Sequence, residues 1–560
     1  MQQLPRKRLY QIPPITITRL LLFFTTLIIL INFITSANSK SDSIAKVTSE
    51  NKTQKIKNII VIIFPGGKSH HFVMKKLFDF AINTKNKSNY NYNFHMVVHN
   101  YDKDFWENAP EAYKIYGFGD KEKFDIIFNK ALDKVREDPI FGYDTFSKAM
   151  IHIINEFGDS KIINEIQKTK YDMIISDIPN SIFKFIKKKL DIKLSLFLSP
   201  PAVPNLFYGL FELNPVTLPA LGSPFTDKLT FWQRLQNLVF VYGFQAMGFK
   251  FMNQQMNVFR NKGYNLDRDD YNYFAYDSLI MIQFPMGFAF NISRPPNFIF
   301  LNYITPTEPK SFEKDDKDLH NFLNIYKKNV YISQGTIFKN IDFSKIIKFF
   351  DELSDIGFIL SIKKEVSDKY KFPKNVHLKH WVNQNNLLGD KRINAFVSHG
   401  GINSILEAIY HKKPVIALGV ALDQVNTAGM VKTRETGISF FSQKDITPEN
   451  LIPAIKDILE DDNKYLRNTE KMSEILKVNK PATEEFSFWL EYGFNFGYDH
   501  LIIKAYSHLE SFQFYNIDII LCFILLICLI IWFIKKLILR ILSFVFKKNE
   551  EENNQKIKIE

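Results

Sequence analysis

The hydrophobic pattern of the chain consists of short apolar runs, each followed by a segment with helical spacing. Asn58 to Phe64 is rich in Ile and Val, as is typical of a buried strand, and residues 173–176 form a second such run. Apolar runs near Val330 and Ile359 are again followed by segments with helical spacing. Because strands that alternate with helices form parallel sheets, the pattern predicts an α/β protein.

Two globular domains are expected from the length of the chain. At 560 residues it exceeds the size of one ordinary hydrophobic core. A polar, proline-containing stretch, residues 301–320, predicts the linker between two α/β halves. The first domain is accordingly predicted over residues 58–300 and the second over residues 321–514.

Both ends of the chain carry apolar runs that predict contact with a membrane. Basic residues precede an apolar run from Leu20 to Ile34, and small and polar residues follow it, which is the order of a secretory signal peptide. The run is short for a spanning helix, so cleavage near Ala37 is favoured over retention and assigns residues 1–37 to the signal. Residues 515–534 are long enough to span a bilayer, and the positive-inside rule places the basic tail, residues 535–560, in the cytosol.

This topology puts the globular part in the lumen of the endoplasmic reticulum. Three N-x-[ST] sequons, at Asn51, Asn86 and Asn291, fall in that part and predict N-glycosylation. Lys556 and Lys558, at the fifth and third positions from the terminus, resemble a dilysine retrieval signal. The sequence therefore predicts a single-pass type I glycoprotein of the endoplasmic reticulum membrane.

The distribution of charge argues against a nucleic-acid partner, and the positions of the cysteines argue against a disulfide or a zinc site in the globular part. The formal charge is +13, but the basic residues are scattered among acidic ones, with local clusters at 187–189 and at the two ends. Solvated faces and membrane flanks explain this pattern better than nucleic acid. The only cysteines, Cys522 and Cys528, lie in one apolar run, so no disulfide or structural zinc site is available to the globular part.

The stretch from Trp381 to Asn426 carries the clearest chemical signal. The apolar run 395–397 ends in S-H-G-G and is followed by an amphipathic run to Tyr410, which predicts a strand, a tight turn and a helix. Paired glycines let the backbone approach a ligand closely, and the amides at a helix start attract a diphosphate. The side chains placed to donate to it are those of Ser398, His399 and Asn403.

Two further residues of this stretch are candidate contacts for a nucleoside. Glu407 lies one helical turn beyond the helix start, where a carboxylate can accept from ribose hydroxyls. Ser404 and Glu407 also spell a capping box, which would give Glu407 a structural role only. Trp381 offers a flat face to a base, with ordinary packing as the alternative, and Gln384 beside it favours stacking.

These residues resemble the donor signature of the UDP-glucuronosyltransferase family, in its membrane-bound animal-type form. The resemblance implies that Trp381 stacks on uracil, that the S-H-G-G turn holds the diphosphate, and that Asp423 and Gln424 reach the hydroxyls of the transferred sugar. Residues 333–336, S-Q-G-T, resemble the turn that opens the family's donor domain, with Thr336 as a phosphate contact. The donor ligands implied are Thr336, Trp381, Gln384, Ser398, His399, Gly400, Gly401, Asn403, Glu407, Asp423 and Gln424.

The chain departs from the family pattern without losing a ligand position. Asn383 and Val425 stand where proline is usual, and Lys412-Lys413 replaces a smaller pair. These departures predict looser loops around an intact site.

The catalytic prediction combines chemistry with the same resemblance. An acceptor hydroxyl must lose a proton, which histidine can take near neutral pH, and a carboxylate on the other ring nitrogen fixes its tautomer. Ser69-His70 matches the family's S-H element, and Asp177 follows the buried strand 173–176 as the family's aspartate does. Carboxyl ends of parallel strands share one edge of a sheet, so His70 and Asp177 can meet. His71 is the rival base, and the family register favours His70.

The resemblance extends from about Asn58 through the apolar segment near the C-terminus. It implies the glycosyltransferase-B architecture: two Rossmann-like domains, acceptor on the first and donor on the second, with C-terminal helices returning to the first.

The resemblance also implies a single inverting displacement. A hexose or glucuronic acid would pass from a UDP-sugar to a hydroxyl of a small lipophilic acceptor, such as a sterol, phenol or lipid, as a β-glycoside. No metal or other cofactor is required. The aromatic-rich part from Phe207 to Phe251 would line the acceptor site or simply pack as core.

Two other classes of protein share parts of this sequence pattern. A nicotinamide dehydrogenase is disfavoured because Gly117-Phe118-Gly119 lacks the third glycine of the dinucleotide fingerprint, with Glu122 in its place. A non-catalytic membrane glycoprotein that retains a UDP-sugar pocket is the alternative, against which the intact His70 and Asp177 argue. Asp316-Lys317-Asp318 resembles a metal-binding D-x-D element but lies in a charged linker and is discounted. The identity of sugar and acceptor, and whether the chain forms a homo-oligomer, stay open.

Overall fold

The structure is a computed structural model, and the part of it described here begins at Gln54. The predicted signal peptide, the sequons at Asn51 and Asn86, and Thr336 lie outside the described residues, and these predictions stay predictions. The residues from Gln54 onward belong to one compact unit. The described residues are 54–84, 88–137, 142–178, 180–199, 218–264, 266, 278–333, 343–419, 422–502, 513 and 516–557.

The first half of the molecule is built on a sheet of seven parallel strands in the order β3-β2-β1-β4-β5-β6-β7. Its central strands are buried on both faces, which explains why they read as continuous apolar runs. The strand predicted over Asn58–Phe64 is observed as Lys55–Ile62, and the one predicted over 173–176 is observed with the same bounds. The strands are β1 (Lys55–Ile62), β2 (Tyr90–His99), β3 (Tyr113–Phe118), β4 (Met173–Ser176), β5 (Leu194–Ser199), β6 (Leu279–Gln283) and β7 (Phe298–Leu301).

Helices follow most of these strands. In the first of them, α1, the buried residues His71, Met74 and Phe78 recur every three or four positions, so one face packs on the sheet. The longest, α6, begins with a capping box between Thr230 and Gln233. The helices are α1 (Lys68–Asn83), α2 (Lys121–Glu137), α3 (Gly142–Asp159), α4 (Ile162–Ile166), α5 (Ser181–Lys189) and α6 (Phe231–Asn261), with a 3₁₀ turn at Lys103–Trp106.

The second half repeats this plan with six parallel strands in the order β10-β9-β8-β11-β12-β13. Its strands are β8 (Asn329–Ser333), β9 (Gly357–Ser361), β10 (Val376–Lys379), β11 (Ile393–Ser398), β12 (Val415–Leu418) and β13 (Gly437–Phe440). Its helices are α7 (Lys317–Phe322), α8 (Phe343–Glu352), α9 (Lys364–Ser367), α10 (Gln384–Gly389), α11 (Ile402–Tyr410), α12 (Asp423–Arg434), α13 (Pro448–Ile458) and α14 (Lys464–Val478), with a 3₁₀ turn at Gln443–Asp445.

Strand order reverses at one place in each sheet. In the first sheet the reversal lies between β1 and β4, and in the second between β8 and β11. Ligands of open parallel sheets bind outside the carboxyl ends of the strands at such reversals. The predicted catalytic and donor residues follow β1, β4 and β11, so both sets start from these edges.

Helix α15 (Ala482–Phe496) leaves the second half and packs on the first. The Phe486 ring lies 5.6 Å from the ring of Phe78 on α1, and Asn89 donates to the Glu491 carboxylate over 2.8 Å. Phe486 and Leu490 are fully buried, so the end of the chain completes the core of the first domain.

The last helix, α16 (Ile517–Ile557), contains a segment long and apolar enough to cross a membrane, Ile517–Lys547. Its 31 residues extend roughly 46 Å at about 1.5 Å per residue, compared with about 30 Å for a hydrocarbon core. The helix does not end at Ile534 but continues through the segment predicted as a basic tail, as far as the structure describes it.

Candidate active site

The His70 side chain pairs with the carboxylate of Asp177. The two side chains follow neighbouring strands, β1 and β4, and His70 Nδ1 lies 2.7 Å from Asp177 Oδ2. The same oxygen accepts the backbone N–H of Phe64 over 2.9 Å, and Asp177 is fully buried. Because the carboxylate accepts the Nδ1 proton, the Nε2 lone pair of a neutral His70 is left to take a proton from a substrate.

His71, the rival base, lies in the protein interior. Trp106 Nε1 donates to His71 Nδ1 over 2.9 Å, so a neutral ring carries its proton on Nε2, which points to Asp102 Oδ2 at 3.4 Å. The residue is only 1% exposed. The geometry therefore leaves His70, and not His71, able to reach a ligand. The spacing of His71 with Met74 and Phe78 on the buried face of α1 was a signal in the sequence.

Asp102 is a site residue that the sequence did not reveal. Its Oδ2 accepts the N–H of Gly66 over 2.7 Å, within the turn that leads into α1. Gly66 has φ +81°, and a Cβ there would stand 2.5 Å from the Phe128 ring. Asp102 and Asp177 thus hold the two ends of the short segment 64–66 that precedes His70.

The S-H-G-G turn after β11 is compact because its glycines admit close backbone approach. Ser398 Oγ accepts the N–H of Gly400 over 3.2 Å, and Gly400 has φ +86°. A Cβ on Gly400 would lie 3.1 Å from the carbonyl oxygen of Gln424. Helix α11 then begins with Gly401 as N-cap and without a side-chain cap, so its first amides are offered to a ligand.

His399 stands at this turn as an uncharged side chain. Its crowded surroundings bury the ring and lower its pKa to about 4. Its Nδ1 is buried, with no hydrogen-bond partner among the described residues. At neutral pH the imidazole is therefore neutral, with one N–H to donate and one nitrogen that the protein leaves unsatisfied.

Glu407 lies on α11 in a buried polar cluster. Gln384 Nε2 donates to Glu407 Oε2 over 2.7 Å and to Ser404 Oγ over 3.1 Å. Burial raises the pKa of Glu407, and the hydrogen bond from Gln384 and the charge of Lys76 oppose that rise. The alternative role of Glu407 in a capping box with Ser404 is ruled out, because the N-cap is Gly401, three positions before Ser404, and Glu407 does not hold the helix start.

Trp381 is 78% exposed in the segment between β10 and α10. Core packing does not account for a side chain in this position, and its flat face is open. Asn383, which stands where the family has proline, is the N-cap of α10 and accepts the N–H of Asn386 over 3.1 Å. Lys413, of the Lys412-Lys413 pair that also departs from the family pattern, donates to the carbonyl of Ile393 over 2.7 Å. Asn383 and Lys413 therefore have structural roles.

Asp423 and Gln424, the predicted ligands of the sugar hydroxyls, begin helix α12. Leu422, immediately before them, has φ +46°, a strained backbone for a residue with a side chain. Burial raises the pKa of Asp423, and a positive charge on His70 would oppose that rise. His70 of the first domain and Asp423 of the second are therefore close enough to influence each other electrostatically.

Two other sequence motifs, the third sequon and the D-x-D element, contain Asn291 and Asp316. Asn291, of the third sequon, is exposed. Asp316 accepts the N–H of Leu319 as the N-cap of α7 and pairs with Lys379.

Two Rossmann-like domains in one chain define the glycosyltransferase-B class, the architecture that the family resemblance implied. The family model described as UDP-glucoronosyl and UDP-glucosyl transferase matches residues 52–555, and the chain belongs to this family. It is a UDP-glycosyltransferase similar to UDP-glucuronosyltransferases.

Individual relatives and structures agree with this assignment. UDP-glucuronosyltransferase 2A1 of Mus musculus is 25% identical over 399 residues, covering 67% of this chain and 73% of that protein. The 2-hydroxyacylsphingosine 1-beta-galactosyltransferase of Homo sapiens is 26% identical over 415 residues, covering 70% and 73%. Among solved structures, Os79 from O. sativa in complex with UDP has a TM-score of 0.50 at 15% identity, covering 78% of this chain and all of that one. The glycotransferase of kitacinnamycin has a TM-score of 0.51 at 13% identity, covering 78% and 99%. These structures support the fold alone.

Proposed function

We propose that this protein transfers a hexose or glucuronic acid from a UDP-sugar to a hydroxyl of a lipophilic acceptor, with inversion at the anomeric carbon. The observation that carries the proposal is the 2.7 Å contact of His70 Nδ1 with Asp177 Oδ2 at the strand-order reversal of the first sheet. In this proposal His70 is the base, Asp177 is the carboxylate that orients it, and Asp423 is the carboxylate that binds the sugar.

The proposed reaction is a single displacement. His70 Nε2 takes the acceptor hydroxyl proton as the acceptor oxygen bonds to the anomeric carbon, and the bond from that carbon to the phosphate oxygen breaks. The electron pair of that bond leaves with UDP, and the product is a β-glycoside. Asp177 stabilises the imidazolium that forms.

The diphosphate is proposed to bind without a metal ion. The amides at the start of α11, His399 and Asn403 are the donors offered to it. Trp381 would stack on uracil, Gln384 and Glu407 would contact the nucleoside, and Asp423 and Gln424 would bind the sugar hydroxyls.

A lipophilic acceptor is supported by one relative and by the surface of the first domain. The galactosyltransferase named above acts, by its name, on an acylsphingosine. Phe231 and Trp232, at the start of α6, are each more than half exposed in the aromatic-rich part assigned to the acceptor side. We further propose that α16 anchors the protein in the endoplasmic reticulum membrane with both domains in the lumen.

Activity separates this proposal from a non-catalytic glycoprotein that only binds UDP-sugars. The full chain, purified in detergent, would be incubated with a panel of UDP-sugars and mixed phenols, sterols and lipids, with products identified by mass spectrometry. We expect a glycoside with the wild type and none with His70→Ala. Tight UDP binding with no product from any pair, in either protein, would favour the non-catalytic alternative.

A further inference from the structure

Gln283 belongs to the first domain, and its side chain contacts helix α11 of the second domain. It is the last residue of β6 and is fully buried. Its Nε2 donates to Asn403 Oδ1 over 2.9 Å, across 120 positions of sequence. Asn403 lies in the first turn of α11, directly after the S-H-G-G turn.

This hydrogen bond orients the Asn403 amide. Because Oδ1 accepts from Gln283, the Nδ2 group of Asn403 is left to donate in another direction. Phosphate oxygens are acceptors only, so this is the orientation that a diphosphate at the start of α11 requires.

Gln283 also carries an unsatisfied acceptor. Its Oε1 is buried, with no hydrogen-bond partner among the described residues, and the same is true of Gln424 Oε1. A buried carbonyl without a donor is unfavourable, and a ligand that brings a hydroxyl relieves it. Both glutamines lie beside the segment 398–403, and a sugar nucleotide is rich in hydroxyl donors.

We propose that Gln283 is a donor-binding residue supplied by the first domain. Its amide nitrogen holds Asn403 in the orientation that binds the diphosphate, and its carbonyl oxygen accepts a hydrogen bond from a hydroxyl of the UDP-sugar. The inference rests on the proposed function of this site. It means that the donor pocket is complete only when the two domains are in contact.

The test measures donor binding to the full chain in detergent by calorimetry, with UDP and with UDP-sugars as separate probes. Gln283→Ala, and the similarly sized Gln283→Met, should raise the Kd for UDP about three- to tenfold, the effect of one hydrogen bond, and that for the bound UDP-sugar further. Gln283→Ala and Asn403→Ala should not be additive, since both remove the same contact.

Asn302→Ala is the matched control. Asn302 is also buried, and its Nδ2 makes a different bond between the halves, to the Leu476 carbonyl over 3.0 Å. If Gln283 acts on the donor itself, the control should bind UDP as the wild type does. An equal loss in the control would show a general loosening of the domains and overturn the proposal.

Two other results would also overturn it. Unchanged UDP and UDP-sugar affinity in both Gln283 variants, while Trp381→Ala weakens UDP, would remove Gln283 and leave the donor site standing. A wild type that binds neither UDP nor any UDP-sugar would remove the proposed function together with this inference.

Discussion

Replacement of Asp177 by asparagine should separate the charge of the catalytic pair from its geometry. Asp177 Oδ2 accepts both from His70 Nδ1 and from the Phe64 amide, whereas Oδ1 is buried without a partner among the described residues. An amide oxygen can keep both bonds if it takes the Oδ2 position. The opposite orientation would set an N–H against two donors, so we expect the ring of His70 to stay in place in Asp177→Asn.

The expected loss of rate in Asp177→Asn follows from the loss of the negative charge on residue 177. A hydrogen bond to a charged partner contributes about 1.5–3 kcal/mol and a neutral one about 1 kcal/mol. The imidazolium that forms during transfer loses that difference, about 0.5–2 kcal/mol, which corresponds to a roughly 2- to 30-fold fall in kcat. Asp177→Ala also removes the group that orients the ring, so its loss should be larger, on the order of 10²–10⁴.

Asp172 provides the matched control at the other end of the same strand. It precedes β4, as Asp177 follows it, and its carboxylate accepts the backbone N–H of Asn58 on β1 over 3.0 Å. Rates would be followed as UDP release at saturating substrates, with UDP affinity and melting temperature measured in parallel. Asp172→Asn should keep the wild-type rate. Equal rates in the wild type and Asp177→Ala, or loss of UDP binding in Asp177→Asn, would refute the assigned role.

Three further predictions concern the histidine pair, the donor face and the topology. His70→Ala should abolish turnover while UDP still binds, and His71→Ala should lower the melting temperature yet still support turnover; the reverse pattern would assign the base to His71. Trp381→Ala and His399→Ala should each weaken UDP affinity in calorimetry, the first by about 1–3 kcal/mol from lost stacking, and unchanged affinity in both folded variants would remove the donor site. In sealed microsomes, added protease should trim only a few kilodaltons after the apolar span if the globular domains are luminal, as proposed; digestion of residues 381–426 would contradict that topology.

Sequence reasoning located the features whose signals are local. The strand at 173–176 and the strand, turn and helix around the S-H-G-G turn depend on runs of a few residues, and all were predicted. The S-x-x-E pattern at Ser404 and Glu407 left a capping role as an alternative, because the pattern does not show where the helix begins. The family register favoured His70 over His71, and the spacing of apolar residues along α1 contained the same choice, since it places His71 on the buried face.

Contacts between distant segments were predictable for His70 and Asp177, because both follow strands of one parallel sheet, but not for other residues. Asp102 acts through a backbone amide 36 positions away, and Gln283 through a side chain in the other domain. Neither residue type nor spacing identifies such a residue, since any polar residue at a strand end could make a hydrogen bond to a distant segment. Sequence reasoning therefore named candidate ligands of the site and did not name Asp102 or Gln283, which contact the segments that carry them.

The return of α15 to the first domain limits how this protein can be divided. Phe486 and Leu490 lie in a core built mostly from the first sheet, although they follow the second sheet in the chain. A shortened form cut after α14 would remove buried side chains from the core of the first domain. Tyr498, beyond α15, belongs to the same core and Leu501 packs against it, so the cut belongs between Leu501 and Ile517. A chimera that exchanges the second domain must likewise take α15 from the protein that supplies the first domain, because α15 completes the core of that domain.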